Sequence, residues 1–379
     1  MNNIYLDYAA TTSVRKEILE AYKKLLDLNY ANSDSIHRLG NDASKYLNKA
    51  RNQIASLLNV KDKEVIFTSG SSESNNMVIK GVALAYKGRG KHIITSSIEH
   101  PSVLDSCKWL EDNLGFEVSY LPVNREGKVE LETLKNAIRK DTILVSIMAV
   151  NNELGSINDI YTLSKWVKEN SIALFHSDAT QAIGKEVIDY SYVDLYNFSS
   201  HKIYGFKGSS VLIKKEKVRL VSLISGGQQE FNIRGGTSNW HNHVMTSKAL
   251  RITMDNFNKE HAHVKVIHDY LLDKLKQEFN NDLIINSPKD GSVYILNFAL
   301  KNKRGEIIVN ALSEKGIYIS SKSACSSYSK DYSKSVYEVS NDEFISRNSL
   351  RVSFSYLTSK EEIDIFVKEL KSIVNSLKG

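Results

Sequence analysis

Short apolar runs alternate with longer amphipathic stretches through the first two thirds of the chain. Residues 64–68, 92–96, 117–121, 143–150, 172–176, 195–198 and 210–213 read as strands. Between them, residues 43–58, 73–86, 101–114, 131–140 and 157–170 repeat their apolar positions with helical spacing. Strands that alternate with helices predict an α/β fold: a mostly parallel seven-stranded sheet flanked by helices. In such sheets ligands bind beyond the carboxyl ends of the strands.

After about Asn242 the rhythm changes. A strongly helical stretch runs to about Phe279, and the remainder mixes strands (292–299, 351–355) with helices (305–314, 360–377). A smaller α+β domain, formed by residues 1–13 and 256–379, is expected beside a large domain of residues 14–255. Residues 320–340 are crowded with Ser, Lys and Tyr and have little apolar periodicity. They are expected to form a mobile loop, of a length often tied to function.

Composition narrows the classes. The 379 residues exceed what one core usually supports, in keeping with two domains. Hydrophobic residues at 41% and charged residues at 25% exclude disorder. The net charge of +6 is dispersed without a basic block, so no direct nucleic-acid binding is expected. The two cysteines, Cys107 and Cys325, exclude a disulfide framework and a zinc site made of cysteines alone. The pairs His241/His243 and His261/His263 lack Cys, Asp or Glu at metal spacing, so no metal site is expected. The N-terminus shows no signal-peptide pattern, and the longest apolar run is far short of a membrane span. A cytoplasmic protein without membrane attachment is the expectation.

Three segments carry chemistry. In EVIFTSGSSESNN (64–76) a strand ends in small residues and a helix starts at once. That geometry aims backbone N–H groups and hydroxyls at one point, a natural phosphate site. In HSDATQAIG (176–184), Asp178 ends an apolar strand. Taken singly, each of these reads as an ordinary capped helix start. The third segment, NFSSHKIYGFKG (197–208), puts Lys202 in a short polar turn flanked by Ser199, His201 and Gly205. A lysine near a phosphate site, with an acid from the neighbouring strand, is the arrangement pyridoxal phosphate requires. The amine forms a Schiff base with the aldehyde, and the acid keeps the pyridine nitrogen protonated so that the ring acts as an electron sink.

The sequence resembles the cysteine desulfurases of the NifS/IscS-like group, within the class V aminotransferase family of fold type I pyridoxal phosphate enzymes. The matching pieces are YLDYAATT (5–12), FTSGSSESNN (67–76), the pair Glu99-His100, VNNELG (150–155), DATQAIGK (178–185), SHKIYGFKG (200–208), RGGTSN (234–239), SACSS (323–327) and LRVSFS (350–355). They run in the family's order over essentially the whole chain. The resemblance implies that Lys202 is the Schiff-base lysine and proton carrier, that Asp178 pairs with the pyridinium nitrogen, and that His100 lies over the ring and assists proton transfer. It places Asn152 and Gln181 at the ring hydroxyl, and Ser71, Ser72, Ser199 and His201 at the phosphate. Thr237 is expected to reach the phosphate of a neighbouring subunit, which implies a homodimer with shared sites. Arg351 is expected to clamp the carboxylate of L-cysteine, with Asn32 as a further substrate contact.

In this group a loop cysteine, as thiolate, attacks the substrate sulfur and carries it as a persulfide. The resemblance assigns that role to Cys325, whose flanks Ser-Ala-Cys-Ser-Ser are polar. A reactive thiolate needs exposure and nearby positive charge, for which Lys322 is a candidate. Cys325 stands 26 positions before Arg351, as in the long-loop subgroup that hands sulfur to a protein acceptor, an iron–sulfur scaffold or a tRNA-thiolation enzyme. Two other readings stay open on the sequence: a selenocysteine lyase or related elimination enzyme, and a catalytically inactive sulfur-relay protein.

Overall fold

The computed structural model describes residues 3–321 and 332–377. A short strand, β1 (Ile4–Tyr5), opens the chain. Seven strands then build the large sheet: β2 (Val65–Thr68), β3 (His92–Ser96), β4 (Glu117–Leu121), β5 (Thr142–Ser146), β6 (Leu174–Asp178), β7 (Leu195–Ser199) and β8 (Ser210–Lys214). Their order across the sheet is β2-β8-β7-β6-β5-β3-β4. All neighbours are parallel except β8, which runs antiparallel to both β2 and β7. The carboxyl ends of β2, β3, β5, β6 and β7 therefore open on one edge.

Alternation along the strands divides their side chains between two faces. Ile94, Val145, Val211 and Ile213 pack with Ile54, Leu163 and Leu250. Ile93, Leu144 and Leu212 pack with Val78, Val82 and Leu110 on the other side. With both faces covered, the centres of β3, β5 and β8 read as short continuous apolar runs. A second, antiparallel sheet has the order β12-β10-β9, formed by β9 (Leu283–Ile285), β10 (Ile295–Leu300) and β12 (Leu350–Ser353). The strand β11 (Ile317–Tyr318) pairs with β1 in parallel. Ile4, Leu6 and Ala9 join Leu271, Phe298, Val352 and Phe366 in one core. The N-terminal segment is thus packed with the C-terminal elements, and residues 7–10 enter the cleft from that side.

Three expectations are corrected and one helix is added. The strand expected at 143–150 ends at Ser146. Its remaining apolar residues are buried, with Ile147 and Ala149 donating N–H bonds to the carbonyls of His176 and Asp178 as the chain bends over the cleft. The single long helix is two, Trp240–Asp255 and Phe257–Phe279, parted at Asn256. A further helix, Lys16–Leu28, buries Ile18 and Leu25 and was not anticipated. The loop expected over 320–340 gives way to a helix at Lys334–Ser340. Ser333 caps it by accepting the Val336 N–H at 3.1 Å, and Val336 packs against Ile98 and Leu154. Residues 322–331, with Cys325, lie outside the described residues.

Candidate active site

The loops at the carboxyl edge of the large sheet enclose a cleft of about 300 Å³. It brings together Ser71, Ser72, His100, Asn152, Asp178, Gln181, Ser199, His201, Lys202 and Arg351. Asn32 and Thr237 do not line it. Asn32 is exposed and accepts the Asp34 N–H in a local turn, and Thr237 is exposed on the segment before Trp240.

One corner is built for an anion. The helix Ser71–Tyr86 follows β2 directly, and its N-cap, Gly70, supplies no side-chain cap. Among the described residues its first-turn N–H groups therefore have no side-chain acceptor beyond Ser199, whose Oγ takes the Ser71 N–H at 2.9 Å. The hydroxyls of Thr180 and Ser199 converge on Ser71 Oγ at 2.7 and 2.9 Å. His201 beside them donates or accepts at Thr11 Oγ1, 3.1 Å away. Burial, then the charges of Lys202 and Lys207, push its pKa down to about 3, so it is neutral.

The other corner holds a base, an acid and a ring. The chain turns once after β7, through Ser200–Lys202, and this turn points Lys202 back into the cleft. A Cβ at Gly205 would stand 2.1 Å from Ser200 Oγ and 3.2 Å from the Ser200 carbonyl oxygen, so any larger residue here would force the Ser200 side chain to move. Lys202 Nζ donates to the carbonyls of Ala10, at 2.7 Å, and Ala9. Asp178, at the end of β6, accepts from Asn75 Nδ2 at 2.7 Å and from the Thr180 N–H at 2.9 Å. His100 caps the helix Pro101–Leu114: its Nδ1 accepts the Ser102 N–H at 3.1 Å, which leaves Nε2 to carry the proton of the neutral ring. Burial lowers the His100 pKa, against the opposing pull of Asp178.

Arg351 closes the far wall from β12. It is 1% exposed, and its guanidinium donates to Asp7 Oδ1 at 2.6 Å and to the Asn152 carbonyl at 2.9 Å. Its Nε is buried with no partner among the described residues. A buried fork with a spare donor suits a carboxylate.

The class-V aminotransferase family model matches residues 4–366. The chain belongs to that family. It is 40% identical over 378 residues to a protein named cysteine desulfurase IscS from Dictyoglomus turgidum, a match covering 99% of this chain and 95% of the relative. A solved structure described as a NifS-like protein superposes with a TM-score of 0.92 at 34% identity, covering 99% of this chain and all of that one. Another, described as SspA in complex with cysteine, gives 0.81 at 32% identity, over 94% of this chain and all of that one. Enzymes of this family are pyridoxal phosphate-dependent, as the resemblance implied.

The donor set of this member of the class-V aminotransferase family fits pyridoxal phosphate: hydroxyls and helix N–H groups for the phosphate, a carboxylate for the ring nitrogen and an amine for the aldehyde. Sequence reasoning missed Thr180, Asn75, Asp7 and the Ala9 and Ala10 carbonyls. All lie inside the quoted motifs, yet their roles depend on contacts between segments far apart in the chain.

Glu99 was quoted only as part of a motif. Its carboxyl is wholly buried, with Oε1 accepting from Ser96 Oγ at 2.7 Å and the Met148 N–H at 2.8 Å, while Oε2 has no partner among the described residues. Burial raises its pKa from 4.5 to about 8. The unfolded chain ionises this group near the lower value and the folded chain near the upper. Across that window unfolding releases a proton, so this contribution to stability is full below the lower value and is lost as pH rises towards the upper one. Glu99→Gln is expected to flatten the fall in urea midpoint between about pH 5 and about pH 8; an unchanged slope would assign the ionised carboxylate to the folded state.

Proposed function

We propose that this chain is a homodimeric L-cysteine desulfurase that binds pyridoxal phosphate in the cleft and forms a persulfide on Cys325. The observation that carries the reading is the convergence of Lys202, Asp178, His100 and Arg351 around one anion-binding helix start. When bound, pyridoxal phosphate supplies an aldehyde for amine linkage and a ring that accepts electrons from the substrate carbon. Ser71, Ser72, Ser199 and His201 hold its phosphate, and Asn152 and Gln181 flank its ring hydroxyl. Asp178 keeps a proton on the ring nitrogen. Lys202 would be the covalent anchor, and its amine would carry protons at the substrate α-carbon. His100, neutral, exchanges a proton at Nε2. Arg351 orients the substrate carboxylate, and Asn32 is a further substrate contact.

Sulfur leaves as the carbon–sulfur bond of L-cysteine breaks and an S–S bond forms to Cys325, giving L-alanine and an enzyme persulfide. The chain has two cysteines. Cys107 is fully buried, and burial pushes its thiol pKa far up, so it is no nucleophile. That supports Cys325 as the sulfur carrier. Thr237, exposed and away from its own cleft, suits a residue that serves a partner's phosphate site. The sulfur acceptor is a protein, an iron–sulfur scaffold or a tRNA-thiolation enzyme, and a reducing cytoplasm suits a working thiol. No helix among the described residues is long and apolar enough to cross a membrane.

The test is alanine released from L-cysteine by protein loaded with pyridoxal phosphate, wild type beside Cys325→Ser. Alanine from the wild type only is the expected result. Equal alanine from both would keep the cofactor chemistry and remove Cys325 from it, as in a selenocysteine lyase.

A further inference from the structure

Behind the cleft, one buried lysine has no place in the chemistry just described. Lys185 is 5% exposed and does not line the cleft. Burying an ammonium is costly unless it is paired. Yet among the described residues Lys185 forms no ion pair, and its Nζ donates to a neutral group, Oε1 of Gln181, at 3.0 Å. Gln181 in turn donates from Nε2 to the Ala9 carbonyl at 2.9 Å, the same oxygen that accepts from Lys202. The fold makes this approach deliberately tight. Gly184 sits at φ +74°, where a Cβ would fall 2.5 Å from Thr253 Cγ2, and this turn folds Lys185 back onto the segment that carries Gln181.

An amide has two ends of nearly equal size and opposite hydrogen-bonding sense. Lys185 and the Ala9 carbonyl together determine which end is which. One Nε2 hydrogen meets Ala9, no acceptor among the described residues takes the second, and Gln181 lines the cleft. A cation on the amide oxygen also polarises the amide and strengthens its N–H groups as donors.

We propose that Lys185 is a positioning residue that acts on the cofactor through Gln181, orienting and strengthening the amide N–H that meets the ring oxygen of pyridoxal phosphate. The inference rests on the reading of the cleft given above. A stronger donor at that oxygen stabilises its anionic form, and so lowers the pH at which the Lys202–cofactor linkage loses its proton. Burial holds the Lys185 pKa down to about 8, with Glu186 raising and Arg351 lowering it, so the cation persists at neutral pH. The other groups facing it are the Tyr294 ring, 5.8 Å away, and the neutral His201.

The experiment follows the visible absorbance of the pyridoxal phosphate-loaded protein against pH, without substrate. Lys185→Met is expected to raise the midpoint by about 0.5–1 pH unit, the shift of a modest change in donor strength. Lys185→Arg, which keeps the charge and the donor, is expected to return the wild-type midpoint. In a Gln181→Leu background, Lys185→Met is expected to add no further shift, as a double-mutant cycle through one contact requires. Where Lys185→Met does not fold, Lys185→Gln is read instead and the same upward shift is expected. A wild-type midpoint in the uncharged variant overturns the proposal, as does a shift that persists in full without Gln181. A wild type that takes up no pyridoxal phosphate overturns the reading of the cleft itself, which the alanine assay tests separately.

Discussion

Lys202→Ala is expected to release alanine from L-cysteine at least roughly 10³–10⁴-fold more slowly than the wild type, the upper range for loss of a positioned proton carrier. The substitution removes two functions at once. On the proposed function, the covalent anchor for the cofactor disappears, and so does the amine that moves protons at the substrate carbon. The protein should still fold, because Lys202 lies at the cleft and its partners include two backbone carbonyls, of Ala9 and Ala10, that stay in place. Those carbonyls lose a donor, for about 1–3 kcal/mol at most if no water replaces it. The measurement pairs the alanine rate with the visible spectrum after dialysis. Loss of rate together with loss of a dialysis-resistant band is the expected pair. A retained rate with a retained band would move the anchor to another lysine.

Arg351→Lys is expected to raise the KM for L-cysteine by about 30- to 1000-fold, the equivalent of about 2–4 kcal/mol for a buried charge pair. The guanidinium is held from both sides, by Asp7 at 2.6 Å and the Asn152 carbonyl at 2.9 Å, which fixes its plane. An ammonium offers a point charge instead of a fork and does not span those partners and a carboxylate together. Because Arg351 touches neither the amine nor the sulfur of the substrate in this scheme, the loss should fall on KM more than on kcat. A KM within threefold of the wild type, or a loss confined to kcat, would take the carboxylate role away from Arg351.

The large sheet was legible because its strands are covered on both faces. A strand such as β5 or β8 is apolar through its centre, residues 143–145 and 211–213, on both faces alike, and that leaves a short continuous apolar run in the sequence. The helix Lys16–Leu28 escaped because it buries chiefly Ile18 and Leu25 and is otherwise rich in lysine and exposed leucine, so its stripe is thin. The division at Asn256 escaped because two consecutive helices share one periodicity and a single residue parts them. The helix Lys334–Ser340 escaped because its core contact is largely Val336 set among serines, lysine and tyrosine.

The site divides in the same way. His100 entered only through the family resemblance, whereas Lys202, Asp178 and the serine-rich helix start of the anion corner were legible in the residues themselves, because each stands at a strand end or helix start where small and polar residues interrupt an apolar pattern. That much, together with the α/β class, followed from local residue order, since a strand that ends at the sheet edge must deliver its next residues to the crevice. Which oxygen receives Lys202, what holds Arg351 in plane, why Glu99 keeps its proton and where Lys185 points were decided only by tertiary structure. The first three depend on partners tens to hundreds of positions away, Ala9 for Lys202, Asp7 for Arg351 and Met148 for Glu99, and Lys185 meets a near neighbour, Gln181, whose amide is itself held by the distant Ala9. Hydrogen bonds act over about 3 Å and burial depends on every neighbour in space, and neither quantity is written in the spacing of residues along a chain.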